Sequence, residues 1–412
     1  VSLPQLQSAL GLVLLCLLCW VLGGCKRHVS WRAVIGGLVG TIGLAALLLN
    51  IPPLRAAFSY FGRAVDALAR ATQAGTSLVF GYLGGAPLPY AETAPGASFI
   101  LFFQALPILL LVGALSALLY HWRVLPFVVR ILAIALRRCL GLGGAAGFSV
   151  AANVFVGMVE APLLIRPWLS RLTRSELFVV MVAGLATISG NMLVVYALLI
   201  SSLVPDAAGQ LLTASLMGAP AAVLAAQLMI PSTGITEGEA EAPRLYSSSM
   251  EALVQGTSDG LQLLLGIMAA LVVFVALVAL GNEIVQPILG ITLQQIAGWV
   301  LWPLAWAMGT PAAEAQVVGQ SLGIKLVINE FVAYLDFARS SGEALSPRTR
   351  LILSYALCGF ANFGSVGIML GGMCTMCPER RAEIVSLGLP ALAAGTIACC
   401  MLGAAVGVLT PP

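Results

Sequence analysis

Two stretches of this chain are too apolar to be surface loops and too broken to be ordinary membrane spans, and each carries a carboxylate. Glu160 lies in Val156-Gly157-Met158-Val159-Glu160-Ala161-Pro162, and Glu330 in Ile328-Asn329-Glu330-Phe331-Val332-Ala333-Tyr334. A carboxylate at bilayer depth costs about 2.5–3.5 kcal/mol on insertion scales, so it faces a cavity and a partner rather than lipid. Non-helical backbone at that depth is tolerated only where protein or water covers it. Residues 143–170 and 311–340 therefore read as re-entrant hairpins whose tips mark a cavity.

Composition fixes the solvent. Hydrophobic residues make up 60% of the 412, and charged residues only 9%, against roughly 25% charged in soluble domains. This is an all-α polytopic membrane protein. Apolar runs of spanning length fall near 7–24, 33–51, 97–120, 175–203, 212–230, 259–282, 351–373 and 386–409. Residues 53–72 set Arg55, Arg63, Asp66 and Arg70 at helical spacing and read as an interfacial helix. Residues 76–96, rich in Gly, Pro and Ala, read as a loop. Residues 124–140 form a basic amphipathic segment, and 231–245 the most polar linker.

Basic residues orient the layout. With the N-terminus outside, thirteen Lys and Arg lie on the cytoplasmic side and six on the other, Lys325 being unassigned. The apolar run 8–24 has no preceding basic residue, so it reads as a retained first helix rather than a cleaved signal peptide. The net charge of +3 is too small and dispersed for nucleic-acid binding. Cys374-x-x-Cys377 lacks a second ligand pair, and the only histidines are His28 and His121, so it reads as a loop at the membrane boundary. No Walker loop or nucleophile elbow is present; the chain carries no catalytic set.

The order amphipathic segment, hairpin with Glu, broken span, final span occurs at 124–230 and again at about 291–410. The first broken span holds Ala186-Thr187-Ile188-Ser189-Gly190-Asn191, the second Gly359-Phe360-Ala361-Asn362-Phe363-Gly364-Ser365. One hairpin enters from inside and the other from outside, which makes an inverted repeat with its substrate site at the repeat interface. The division is 1–123, scaffold spans and interfacial helix; 124–230, first repeat; 231–290, linker and scaffold span; 291–412, second repeat.

Glu330 with Asn362 and Ser365 could accept the hydroxyl protons of a vicinal diol such as that of ribose. The bland alternative, a staple between Glu330 and Lys325, conflicts with their i,i+5 spacing. Glu160 could bind substrate, carry a proton or hold its hairpin tip. Asn153 and Thr187 side-chain oxygens, with freed carbonyls at Val156 and Ile188, suit a monovalent cation such as sodium; bonding of each to its own helix is the alternative.

On Gly323-Ile324-Lys325-Leu326-Val327-Ile328-Asn329-Glu330-Phe331-Val332-Ala333-Tyr334, Cys358-Gly359-Phe360-Ala361-Asn362-Phe363-Gly364-Ser365, Glu160-Ala161-Pro162-Leu163-Leu164-Ile165-Arg166-Pro167 and Ala186-Thr187-Ile188-Ser189-Gly190, the chain resembles the concentrative nucleoside transporters over nearly its whole length. The resemblance implies eight spans with two opposed hairpins, a homotrimer in the inner (plasma) membrane, and no cofactor beyond sodium as coupling ion. It implies that Glu330, Asn362 and Ser365 hold the ribose, that Phe360 lies beside the base, and that Asn153, Val156, Thr187 and Ile188 ligate sodium. The departures fall on the base subsite. Met158 and Val159 stand where the family has a polar pair, Met192 where it has a small apolar residue, and Met369 where a Gln is common. An apolar site cannot demand the hydrogen bonds of a pyrimidine edge, so poor recognition of uridine is expected. The expected function is sodium-coupled import of a nucleoside or related ribose-bearing compound. Proton coupling through Glu160 or Glu330, or a non-transporting receptor on the same fold, are the alternatives.

Overall fold

A bilayer leaves a chain no solvent with which to pair its backbone, so spanning segments must be helical. The computed structural model describes residues 2–26, 29–91, 98–236, 238, 242–341 and 344–411, with backbone alone at 49, 50, 52–59, 340 and 341. Among the described residues there is no strand.

Helices α1 (Leu3–Leu22) and α2 (Trp31–Asn50) are followed by α3 (Pro52–Phe80). Next come α4 (Leu101–Gln104), α5 (Ile108–His121) and the amphipathic α6 (Val124–Leu140). Helices α7 (Gly144–Asn153) and α8 (Glu160–Leu164) form the first hairpin. The next span is split into α9 (Arg174–Ala186) and α10 (Gly190–Ile200), and α11 (Ala207–Met229) completes the unit. After α12 (Ser249–Leu289) the order returns: α13 (Leu293–Ala307), hairpin α14 (Ala312–Val327) and α15 (Glu330–Asp336), split span α16 (Pro347–Leu357) and α17 (Phe363–Met376), and α18 (Arg381–Leu409). Among the described residues, seven stretches are long and apolar enough to cross a membrane. The remaining expected span, at 351–373, is divided at 358–362, so neither half reaches spanning length alone.

Two expectations need correction. The stretch 76–96 is not loop from its start: α3 runs on to Phe80, and a 3-10 turn spans Gly81–Gly84. The stop is at Gly81, whose φ of +59° an L-residue with a Cβ rarely adopts. Thr76 Oγ1 ties the end down by donating to Gly84 O at 2.7 Å. Residues 92–96 of that stretch lie outside the described residues. The sixth span, expected at 259–282, is the 41-residue α12. At 1.5 Å per residue it is about 60 Å long, twice the hydrocarbon thickness.

Burial separates centre from periphery. In their most apolar 18-residue stretches the α9–α10 and α11 spans are each 89% buried, and α12 only 6%. A helix apolar all round belongs either in a core or at a periphery covered by lipid or another chain; α11 is the first case and α12 the second. Helix α12 packs most heavily on α5, while α1 and α2 pack on α11 and α18. The α5–α12 crossing depends on glycine: a Cβ on Gly113 would lie 2.6 Å from Gly256 O, and one on Gly260 2.5 Å from Leu109 O. At the far end of the core the Arg348 guanidinium donates to Pro4 O (3.0 Å), Ser8 Oγ (2.9 Å), Gly407 O (2.8 Å) and Gly309 O. It thereby joins the ends of α1 and α18 to the start of α16.

Candidate functional site

Four interruptions of the helices meet at the centre. They are the first tip (154–159), the break at Thr187–Ser189, the second tip (Ile328, Asn329) and the break at 358–362. Phe360 N–H donates to Thr187 O at 3.3 Å, and Gly190 N–H to Phe155 O at 3.0 Å. The two breaks and the first tip thus satisfy part of one another's freed backbone. Their approach is close: a Cβ on Gly359 would stand 3.0 Å from Leu185 O.

Glu330 is the first residue of α15 and is 6% exposed. Its Oε1 accepts from the Tyr196 hydroxyl at 2.8 Å and its Oε2 from Asn362 Nδ2 at 2.8 Å. Both neighbouring helix starts are capped. Asn329 Oδ1 accepts from Val332 N–H (2.9 Å), and Asn362 Oδ1 from Ser365 N–H (2.7 Å). Asn caps are favoured because they satisfy an otherwise unpaired N–H, and the positive end of each helix faces the carboxylate. Asn362 has two duties, since the same amide caps α17 and holds Glu330. Lys325 takes no part: its Nζ donates to Ala356 O at 2.8 Å, near the end of α16. The staple between Lys325 and Glu330 is therefore not formed.

Sequence reasoning missed Tyr196. It sits in a helix that is otherwise apolar beyond Asn191, fully buried, stacked on Tyr334 with centroids 4.5 Å apart, and Tyr334 in turn donates to Ser354 O at 2.7 Å. A buried tyrosine hydroxyl needs a partner. That was the one available signal, and it named no partner.

The convergence encloses a cavity of about 710 Å³, within the range of small-molecule sites. Glu330, Phe360, Asn362 and Ser365 line it from one repeat, and Met158, Val159, Glu160 and Met192 from the other. Glu160 differs from Glu330: it is exposed, and among the described residues its carboxylate has no hydrogen-bond or ion-pair partner. Met369 does not reach the wall; it is fully buried in the core. Polar groups that the sequence reading did not single out also line the cavity. Ser116 Oγ donates to Asn191 Oδ1 at 3.1 Å, and Asp259 and Gln262 face in from α12.

Of the four residues expected to hold a cation, Asn153 and Thr187 meet directly, and Ile188 adjoins Thr187 at the same break. Asn153 ends α7 and is 1% exposed, yet neither its Oδ1 nor its Nδ2 has a partner. Such orphaned groups cost about 1–3 kcal/mol each and call for an explanation. Thr187 Oγ1 donates to Asn153 O at 3.2 Å and to Ala183 O at 2.9 Å. Ser215 Oγ lies 3.3 Å from both Val154 O and Ile188 O. Val156 N–H donates to Ala152 O, which holds the tip above Asn153. The set is neutral and oxygen-rich, the donor chemistry of a monovalent cation rather than of zinc. Ser149, one turn before Asn153 on α7, has a buried hydroxyl that is likewise unpartnered.

Paired broken helices and hairpin tips around a central cavity define a membrane transporter built from opposed repeats. Comparison with known proteins names its kind. Family models described as Na+ dependent nucleoside transporter C-terminus, Na+ dependent nucleoside transporter N-terminus and Nucleoside recognition match residues 210–407, 10–83 and 102–203. An uncharacterized transporter of Haemophilus influenzae is 37% identical over 98% of this chain and 97% of its own. The nucleoside permease NupC of Helicobacter pylori is 32% identical over 98% and 97%. A solved structure of CNTnw in an inward-facing substrate-bound state superposes with a TM-score of 0.92 at 35% identity, covering 98% of this chain and 99% of that one. The chain belongs to the concentrative nucleoside transporter family. It is a multi-pass membrane transporter and not an enzyme.

Proposed function

We propose that the protein is a sodium-coupled symporter that imports nucleosides or closely related ribose-bearing compounds. One observation carries the coupling: Asn153 has an unpartnered buried side-chain amide, and its backbone is linked to the substrate cavity by two hydrogen bonds. Thr187 Oγ1 bonds Asn153 O, and Thr187 O receives the N–H of Phe360, which lines the cavity. Sodium held by Asn153, Val156, Thr187 and Ile188 would order the break on which Phe360 rests. Each ligand then raises affinity for the other. In the same reading Glu330, Asn362 and Ser365 bind the ribose, and Phe360, Met158, Val159 and Met192 enclose the base.

In this proposal the hairpins and broken spans of the two repeats move against a scaffold, formed by 1–123 and 231–290, that stays in place as part of a homotrimer in the inner membrane.

Proteoliposomes with an inward sodium gradient are expected to accumulate labelled nucleoside, and those with equal sodium on both sides to equilibrate only. Accumulation driven by a proton gradient without sodium would instead select the proton-coupled alternative. Binding without movement of label would select the receptor.

The base subsite has its own test. Met158 and Val159 offer no hydrogen bonds, and a wall built of them reads shape rather than a pyrimidine edge. Met158→Gln with Val159→Thr is expected to tighten uridine binding by about tenfold, one good hydrogen bond's worth. Unchanged uridine affinity in a thermal-shift titration would place the base elsewhere.

A further inference from the structure

A second cavity, of about 890 Å³, shares no lining residue with the first. It is bordered by five arginines: Arg123, Arg130, Arg137 and Arg138 along α6 and its cap, and Arg32 from the first turn of α2. Among the described residues no acidic side chain contributes to its wall. Guanidinium groups stay charged in any protein setting, so those of the five that have no partner call for an anion.

The sequence of α6 explains the gathering. Arg123, Phe127, Arg130, Ile134 and Arg137 follow one another at helical intervals of four and three, so they share a stripe. The adjacent stripe, Val129, Ala133, Leu136 and Leu140, is buried against the protein. Two of the arginines are committed to the fold: Arg32 Nη2 donates to Arg138 O at 2.7 Å, and Arg123 Nη1 to Ala242 O at 2.7 Å. The side chains of Arg130 and Arg138 have no hydrogen-bond or ion-pair partner among the described residues. Glu237, Glu239 and Glu241 of the linker lie outside those residues.

The apolar members of the stripe decide what kind of anion fits. Phe127 is 64% exposed and Ile134 51%, with Ile131 beside them at 54%. A free inorganic anion gains nothing from these side chains. A ligand with a charged head and an apolar tail is matched by both, in the way interfacial helices sink aromatic and aliphatic groups beneath a row of basic ones. Arginine suits such a head because its fork grips phosphate oxygens two at a time.

We propose that the groove on α6 is a binding site for the phosphodiester head group of an anionic glycerophospholipid, gripped chiefly by Arg130 and Arg138. The bound lipid also touches the root of the first hairpin, since Gly144 and Phe148 of α7 form part of the wall.

The test uses the full-length protein purified in neutral detergent and followed by thermal unfolding. Cardiolipin and phosphatidylglycerol are expected to raise the melting temperature, and phosphatidylcholine or inorganic phosphate at the same concentration to leave it unchanged. Arg130→Gln with Arg138→Gln should weaken the apparent lipid affinity about 30-fold, the effect of two basic residues at a membrane surface. Arg130→Lys with Arg138→Lys, which keeps the charges and loses the fork, should bind with an affinity between the wild type and the glutamine pair. An equal shift with phosphatidylcholine, a shift reproduced by inorganic phosphate alone, or wild-type affinity in the glutamine pair overturns the proposal. If the glutamine pair does not fold, native mass spectrometry of the wild type decides. Preferential retention of phosphatidylglycerol over phosphatidylcholine supports the site, and equal retention removes it.

Discussion

Glu330→Gln is expected to reduce nucleoside uptake by about 100-fold or more while leaving a folded protein. The carboxylate accepts from two donors at once, Tyr196 Oη and Asn362 Nδ2. A glutamine has one acceptor oxygen and one donor nitrogen. Asn362 cannot turn to accommodate it, because its Oδ1 is already the cap acceptor for Ser365 N–H. The glutamine nitrogen must therefore face Tyr196, whose hydroxyl can rotate to accept. The fold survives, but the negative charge that strengthens every hydrogen bond to Glu330 is gone. Bonds to a charged group are worth about 1.5–3 kcal/mol each, so losing two such bonds to ribose hydroxyls amounts to at least two orders of magnitude. Uptake by proteoliposomes, with a melting curve beside it, measures both halves. Transport at the wild-type rate would remove Glu330 from substrate binding.

Asn153→Leu is expected to abolish sodium dependence without loss of stability. Both amide atoms are buried and unpartnered, and replacing such a group by an apolar one of similar size relieves a penalty. Without sodium the variant should melt at or above the wild-type temperature. Wild type should gain about 2.7 kcal/mol when sodium is a hundredfold above its dissociation constant; the variant should gain nothing. Potassium serves as the control for ionic strength. A variant that sodium stabilises as strongly as wild type would show that the cation binds elsewhere.

The two acidic residues began alike in sequence, each in an apolar stretch broken by Gly or Pro, and the structure separates them. Glu330 acquires a buried network. Glu160 is exposed to the cavity without a partner among the described residues. Periodicity could not tell them apart, because the difference lies in what the neighbouring repeat supplies. Tyr196 comes from the first repeat and Asn362 from the second, 134 and 32 residues from Glu330. The exclusion of Met369 from the cavity wall has the same origin: its helix, α17, turns that side chain into the core.

What the sequence determined by itself was the medium and the skeleton. Apolar runs of spanning length must be helices in lipid, and Gly, Pro and Asn at corresponding positions in the two halves must interrupt them. The extent of α3 and α12 was less legible, because glycines at 75 and 81 look alike in sequence and only the one with positive φ ends the helix. The tertiary structure alone decided which groups are paired. Lys325 reaches Ala356 O instead of Glu330, Asn362 serves a cap and a carboxylate together, and Asn153 is left with neither atom bonded. Hydrogen bonds between elements far apart in the chain depend on where two repeats cross to within a few ångströms. No local pattern of residues encodes that distance.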